Sequence, residues 1–156
     1  MLLSKIWWAF TSVDAPTPYL VGLYDADTRA NRAHLPILLS MACLSGNWAN
    51  PTLPPIDARL LLRRGGGILA ALTPVGSGVN TGHAHLLAGA LPLLAAGQSL
   101  GEAHLAGLAA IAQTGRNLDL LFTFGVLGDP AVRLPPLEQR VYLPLVRRSA
   151  ASKEES

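Results

Sequence analysis

The apolar positions of this chain fall in short uncharged runs separated by turn-forming residues, and their spacing predicts strands alternating with helices. Residues 35–43, LPILLSMAC, form an uncharged run ending on a cysteine, and Ser45, Gly46 and Asn47 follow at once as a turn. This reads as a buried strand delivering Cys43 to its carboxyl end. Prolines at 51, 54 and 55 deny regular hydrogen bonding to the connection NPTLPP. Asp57 is then expected to cap a helix over about 58–64, with Leu60, Leu61 and Leu62 on its buried side and Arg63 and Arg64 at its negative end. The triple glycine at 65–67 stops that helix, and 68–73, ILAALT, follows as a second buried strand closed by PVGSG.

Strand, helix and strand within some 40 residues is the pattern of a right-handed parallel crossover, so a mostly parallel sheet covered on both faces is expected. A helix is expected from 82 to about 96, and Ser99 with Glu102 makes a capping box for another running to about 113. Gly115 and Asn117 end it. Residues 118–127, LDLLFTFGVL, supply a last strand or extended segment, and GDPAVRLPP a turn with a short extended piece. Before the first strand lie an aromatic cluster (Trp7, Trp8, Phe10), the Pro-rich APTPYL and a polar loop, DADTRANRAH. The final RRSAASKEES is polar and expected to be disordered.

Composition narrows the classes. The 156 residues have the length of one domain. Half are hydrophobic and 14% charged, a core-rich balance that suits a part of something larger. Twelve basic against ten acidic residues, without a dense basic block, exclude nucleic acid as the expected partner. One cysteine excludes an intramolecular disulfide and a multi-cysteine metal site but leaves the single-nucleophile case. The opening MLLSKIWWAF is not expected to be an export signal, because Lys5 interrupts it and no small-residue cleavage site follows cleanly. Residues 65–101 carry no charged side chain, yet glycine, proline, asparagine and two histidines break them well short of the roughly 20 apolar residues a spanning helix needs. A soluble core is expected there, not a membrane segment.

Catalytic groups in open α/β sheets gather outside the carboxyl ends of strands, where Cys43 is expected. From strand and turn alone the thiol is either a nucleophile or an inert buried cysteine, and the first requires a base nearby. His34 precedes the strand and would stand roughly 26 Å away at its opposite end, which excludes it if the strand is straight. His83 and His85 begin a helix at the same sheet edge as Cys43, so either one approaches the thiol or both are helix-start residues of no catalytic role. His104 reads as a surface or packed residue in mid-helix. A zinc site from Cys43, His83 and His85 is disfavoured, since positions i and i+2 do not share a helix face. Gly76 and Gly78 lack the glycine spacing and the lysine of a phosphate loop. Asp129, before a proline, reads as a turn former. Trp48 either walls a cleft or covers the sheet edge. No cofactor and no metal is expected.

Several segments, taken in order, resemble one family: ACLSGNW after the first strand, GGGILAALTPVGSG, GHAHLLAGALPLLAAGQSLGEAH and FTFGVLGDPAVRL. Together they resemble the C-terminal half of the gingipain-type cysteine peptidases, over roughly residues 35 to 135, with AC-x-x-G, SLGEA and LGDPA-x-R-L the most specific pieces. CHAT domains also place a cysteine after a strand, but usually close with an aromatic-rich segment where this chain has LGDPAVRL. The resemblance implies a caspase-like three-layer α/β/α sandwich over residues 1–140, incomplete at its N-terminus, followed by the tail 141–156. It implies Cys43 as the nucleophile, with the cysteine's own amide and the glycine after the catalytic histidine as oxyanion donors.

The family histidine stands in a His-Gly-Ser-like motif shortly before an aromatic position. If that position is Trp7 or Trp8, Ser4 is the motif's serine, and Leu2 and Leu3 stand where histidine and glycine belong. The family's acidic P1-pocket residues also fall upstream. Either the coding sequence begins before Met1 or the domain has lost its base. The functional expectation is a cysteine-type endopeptidase domain, or a fragment of one, acting on a peptide or protein through a Cys43 thiolate and an acyl-enzyme. The alternative is an inactive caspase-like or CHAT-like scaffold that binds a partner protein, with self-association through an exposed sheet edge.

Overall fold

The computed structural model describes residues 23–28, 30–32, 35–49, 52 and 54–135. In chain order these form helix α1 (Leu23–Thr28), strand β1 (Ile37–Leu39), helix α2 (Ile56–Leu62), strand β2 (Ala70–Pro74), helix α3 (Asn80–Ala95), helix α4 (Leu100–Thr114), the short helix α5 (Leu120–Thr123) and strand β3 (Phe124–Gly128). β2 lies between the other two strands. β1 pairs with it in parallel, Ile37 opposite Ala70 and Leu39 opposite Leu72. β3 pairs with it antiparallel, Ala70 opposite Gly128 and Pro74 opposite Phe124.

Side chains of a strand alternate between faces, and here each face meets a different helix layer. Ile37, Leu39, Ala70 and Leu72 pack with Leu86, Leu87, Ala90 and Leu94 of α3 and Leu100, Ala103 and Ile111 of α4. Leu38, Ala71 and Leu127 turn the other way, onto Ala26 of α1 and Ala58 and Leu60 of α2. The result is the expected three-layer α/β/α sandwich. The crossover from α2 into β2 turns on Gly67, whose φ of 102° and whose position, with a Cβ placed 1.9 Å from the Leu60 carbonyl oxygen, admit no side chain.

The capping box forms as expected. The Ser99 hydroxyl accepts from the Glu102 amide at 3.3 Å, and the Glu102 carboxylate accepts from the Ser99 amide at 2.8 Å. The segment after β3 then folds back onto this helix end. The Val132 carbonyl accepts from Leu100 N at 2.9 Å and the Pro130 carbonyl from Gly101 N at 2.8 Å, so the amides that open α4 are satisfied. Asp129 builds the turn that makes this return, its side chain accepting from the Ala131 amide at 2.8 Å. SLGEA and LGDPA-x-R-L are therefore two halves of one local assembly. Gly115, at φ 63°, closes α4 in the left-handed conformation.

Some expectations are corrected. Asp57 does not cap α2; the cap position is Pro55, and Asp57 sits in the first turn with its side chain buried. Leu60 is buried, but Leu62 is 78% exposed, because three consecutive leucines span most of a helix turn and cannot share one face. The segment 118–127 divides into a helical turn and a strand, and the turn sends β3 back antiparallel, which makes the described sheet mixed. No helix among the described residues is long and apolar enough to cross a membrane. The aromatic cluster, His34 and the tail lie outside the described residues.

α3 and α4 cross closely through glycine. A Cβ on Gly89 would lie 2.5 Å from the Ala106 carbonyl oxygen, and one on Gly107 would lie 2.8 Å from that of Leu86. In an open helix, glycine to alanine gains up to about 1 kcal/mol. Here Gly89→Ala and Gly107→Ala are each expected to destabilise by about 1–3 kcal/mol, as overpacking does; urea unfolding of the two variants measures the sign.

Candidate active site

The turn after β1 is held in place by β2. Ser40 N donates to the Leu72 carbonyl at 2.8 Å and extends the parallel ladder by one residue, after which Gly46 N reaches the Pro74 carbonyl at 3.0 Å and Leu44 N the Gly76 carbonyl at 3.1 Å. A side chain at Gly46 is excluded, since its Cβ would lie 2.5 Å from Thr73 Oγ1. Leu44 takes a φ of 64°, a left-handed conformation costly for a residue with a side chain. Cys43 lies at the top of this turn, free and exposed, four residues past the last residue of β1.

Its sulfur meets the backbone N–H and C=O of a single residue, Gly78, in the loop after β2. The thiol donates to the Gly78 carbonyl at 3.3 Å, and the sulfur accepts from the Gly78 amide at 3.4 Å. Among the described residues, the Cys43 amide donates to no other group. The Gly78 loop rests in turn on α3 and α5: Val75 N donates to the Thr123 carbonyl at 2.7 Å, and a Cβ on Gly78 would lie 2.7 Å from Leu120 Cδ2 and 2.8 Å from His83 Nε2.

His83 therefore packs against Gly78, and no hydrogen bond joins its ring to the sulfur. It is only 3% exposed, stacks edge-on against Phe124 with ring centroids 5.6 Å apart, and finds no hydrogen-bond partner for either ring nitrogen. Burial pushes its pKa below the ordinary histidine value; the nearby Met41 backbone and the Asp119 carboxylate oppose that shift without bonding to the ring. His85, two residues on, is exposed. His104 is half-buried and bonds through Nε2 to the Phe124 carbonyl at 3.2 Å, and burial lowers its pKa too. No described histidine bonds to Cys43. Trp48, which follows the turn, is 51% exposed.

Beneath the turn, on the α2 side of the sheet, lies a group that sequence reasoning misread. Asp57, 1% exposed, accepts from the Thr73 hydroxyl; Ser45 Oγ lies 3.2 Å from Thr73 Oγ1 and 2.7 Å from Ser40 Oγ. Burial raises the Asp57 pKa, and the hydroxyls of Thr73, Ser45 and Ser40 pull it back. The signal was present in the two strand runs. Ser40 and Thr73 are the next same-face positions after Leu38 and Ala71, so one face of the sheet turns polar where the run reaches its carboxyl end. Three or more grouped metal-ligating side chains do not occur among the described residues.

A buried imidazole held below its unfolded value of 6.5 contributes stability that is present above that pH and lost as pH falls through the folded value. His83→Leu is expected to flatten this acid-side loss and, at pH 8, to remain at least as stable as the parent, since an unpartnered buried polar group costs roughly 1–3 kcal/mol. Urea unfolding at pH 8 and at pH 5.5 tests this; an unchanged slope with pH would count against it.

The family model described as Peptidase family C25 matches residues 5–135. Two solved structures have the same fold. The Arg-specific cysteine proteinase gingipain R (RgpB) aligns at a TM-score of 0.69 and 17% identity over 85% of this chain and 33% of that one. A complex of the Porphyromonas gingivalis RgpB pro- and mature domains aligns at a TM-score of 0.68 and 16% identity, again over 85% and 33%. The chain thus spans about a third of the length of these solved chains. A search of curated proteins found no match. The matched model covers most of the chain, the sandwich is caspase-like, and the most specific motifs build one assembly at the start of α4: the chain belongs to peptidase family C25, the gingipain-type cysteine peptidases.

Proposed function

We propose that the chain forms the carboxyl-terminal part of a cysteine endopeptidase domain in which Cys43 is the nucleophile. The observation that carries this reading is an exposed sulfur at the carboxyl edge of the sheet, held against the Gly78 peptide on a turn pinned to β2. Family membership supports the same chemistry. The thiolate attacks a peptide carbonyl and forms a thioester; the amine leaves with a proton, and water then cleaves the thioester to release acid and thiol. The Cys43 amide, bonded to no described group, serves as one oxyanion donor. No described histidine bonds to the thiol, and Leu2 and Leu3 stand where the resemblance places the family's histidine and glycine, so the reading requires a proton acceptor that the described residues do not supply. The substrate is a peptide or protein segment lying across the turn and the Gly78 loop.

A second reading keeps the fold and drops the chemistry. β1 pairs only with β2 among the described residues, and a strand with a free side can accept a partner's strand. The chain would then be a scaffold that binds another protein or a second copy of itself.

Thiol reactivity separates the two. Iodoacetamide is expected to alkylate Cys43 faster near neutral pH than an unstructured peptide thiol, with peptide substrate slowing the reaction. In the full domain carrying the His-Gly motif, Cys43→Ala is expected to lower turnover on the order of 10⁶-fold. A wild-type thiol no faster than the peptide control, together with cleavage that survives Cys43→Ala, would sink the peptidase reading.

A further inference from the structure

A carboxyl group is costly to bury unless its oxygens are hydrogen-bonded, yet Asp57 is buried without capping its helix and without a cationic partner among its contacts. What surrounds it is a line of three hydroxyls that ends at the Cys43 turn. The Thr73 hydroxyl gives its one proton to Asp57 Oδ2. Its oxygen must then accept from Ser45, 3.2 Å away, and Ser45, its proton used, must accept from Ser40 at 2.7 Å. The four side chains form one directed chain, and the carboxylate at its end sets the direction. The backbone of Asp57 acts at the same place, its amide donating to the Ser45 carbonyl at 3.3 Å.

Ser45 is therefore held twice by one residue of α2, and it stands two positions after the exposed cysteine. The intervening Leu44 sits at φ 64°, a conformation that persists only where neighbours impose it. Those neighbours are the bonds on either side: Leu44 N to Gly76 and Gly46 N to Pro74, with the Ser45 clamp between them. Thr73 contributes again by packing against Gly46, where no side chain fits.

We propose that Asp57 is a positioning residue for Cys43, holding Ser45 through its amide and through Thr73 and thereby fixing the turn that presents the sulfur to Gly78. The proposal deepens the peptidase reading and rests on it for its meaning in catalysis, although the clamp is measurable without catalysis. Its parts are specific. The carboxylate orients the hydroxyl chain, the Thr73 hydroxyl transmits that orientation to the turn, and the short side chain of Ser45 is needed as a link and not as filler.

The test uses the full 156-residue chain and the variants Asp57→Asn, Asp57→Ala and Ser45→Ala, with Gly107→Ala as a control that perturbs the fold on the opposite face of the sheet. Two quantities are read: amide hydrogen exchange at Leu44 and Gly46, and the rate of Cys43 alkylation by iodoacetamide across pH. Each is compared after global stability has been measured by urea unfolding. In all three variants the two turn amides are expected to exchange about tenfold or more faster than the change in global stability accounts for. The alkylation rate near neutral pH is expected to change by more than the stability difference accounts for, while Gly107→Ala leaves both readouts in step with its stability. Turn protection and an alkylation profile that follow the Gly107→Ala behaviour would overturn the proposal. Should Asp57→Ala fail to fold, Asp57→Asn and Ser45→Ala decide the matter. The two readings fail separately. A wild-type thiol as slow as a peptide thiol, with turn protection still lost in the variants, removes the nucleophile and leaves the clamp. A fast wild-type thiol unaffected by the variants removes the clamp and leaves the nucleophile.

Discussion

The structure depends on the parallel pairing of β1 with β2. That pairing does not stop where the strands do. Beyond Leu39 the ladder passes through Ser40 and Leu72 and then skips into the turn, where the amides of Leu44 and Gly46 continue to find carbonyls along the extension of β2. A strand of three residues would be a weak anchor by itself. Prolonged in this way, it turns the connection into a mount whose backbone hydrogen bonds set the path of the turn that carries the exposed sulfur.

The two faces of the sheet support that mount differently. On one side α3, α4 and α5 build a largely apolar layer in which Leu120 and His83 press against the α-carbon of Gly78, fixing the loop that touches the sulfur. On the other side the layer between the sheet and α2 is apolar through Leu38, Ala71, Ala58 and Leu60, then becomes polar at Ser40, Thr73 and Asp57, directly below the turn. Apolar packing locates the loop after β2, and directional hydrogen bonds locate the turn after β1. The sulfur stands where the two meet.

Much of this was legible in the residues. The order of elements from β1 to α4, the crossover, the capping box and the left-handed stop at Gly115 each follow from local rules of spacing and turn chemistry, which act within a few residues; helix α1 falls partly where a polar loop is expected. What escaped was long-range. Asp57 before an apolar run reads as a cap, and only the approach of Thr73 and Ser45 from elsewhere in the chain shows that its carboxyl points inward. The antiparallel entry of β3 depends on a four-residue helical turn whose apolar composition, LLFT, looks equally like strand. Gly78 touches both Cys43 and His83, but no periodicity could reveal that the His83 ring is buried without a hydrogen bond to the thiol. Local chemistry specified the elements; tertiary packing decided which polar groups were sealed and which were shown to solvent.

The sheet separates two sealed titratable groups of opposite temper. Acidification burdens the native state through the imidazole of His83, whose charged form is unwelcome in its apolar site. The same acidification relieves the native state through the carboxyl of Asp57, whose neutral form the interior prefers. The two groups therefore tilt stability with pH in opposite directions, one from each side of the sheet.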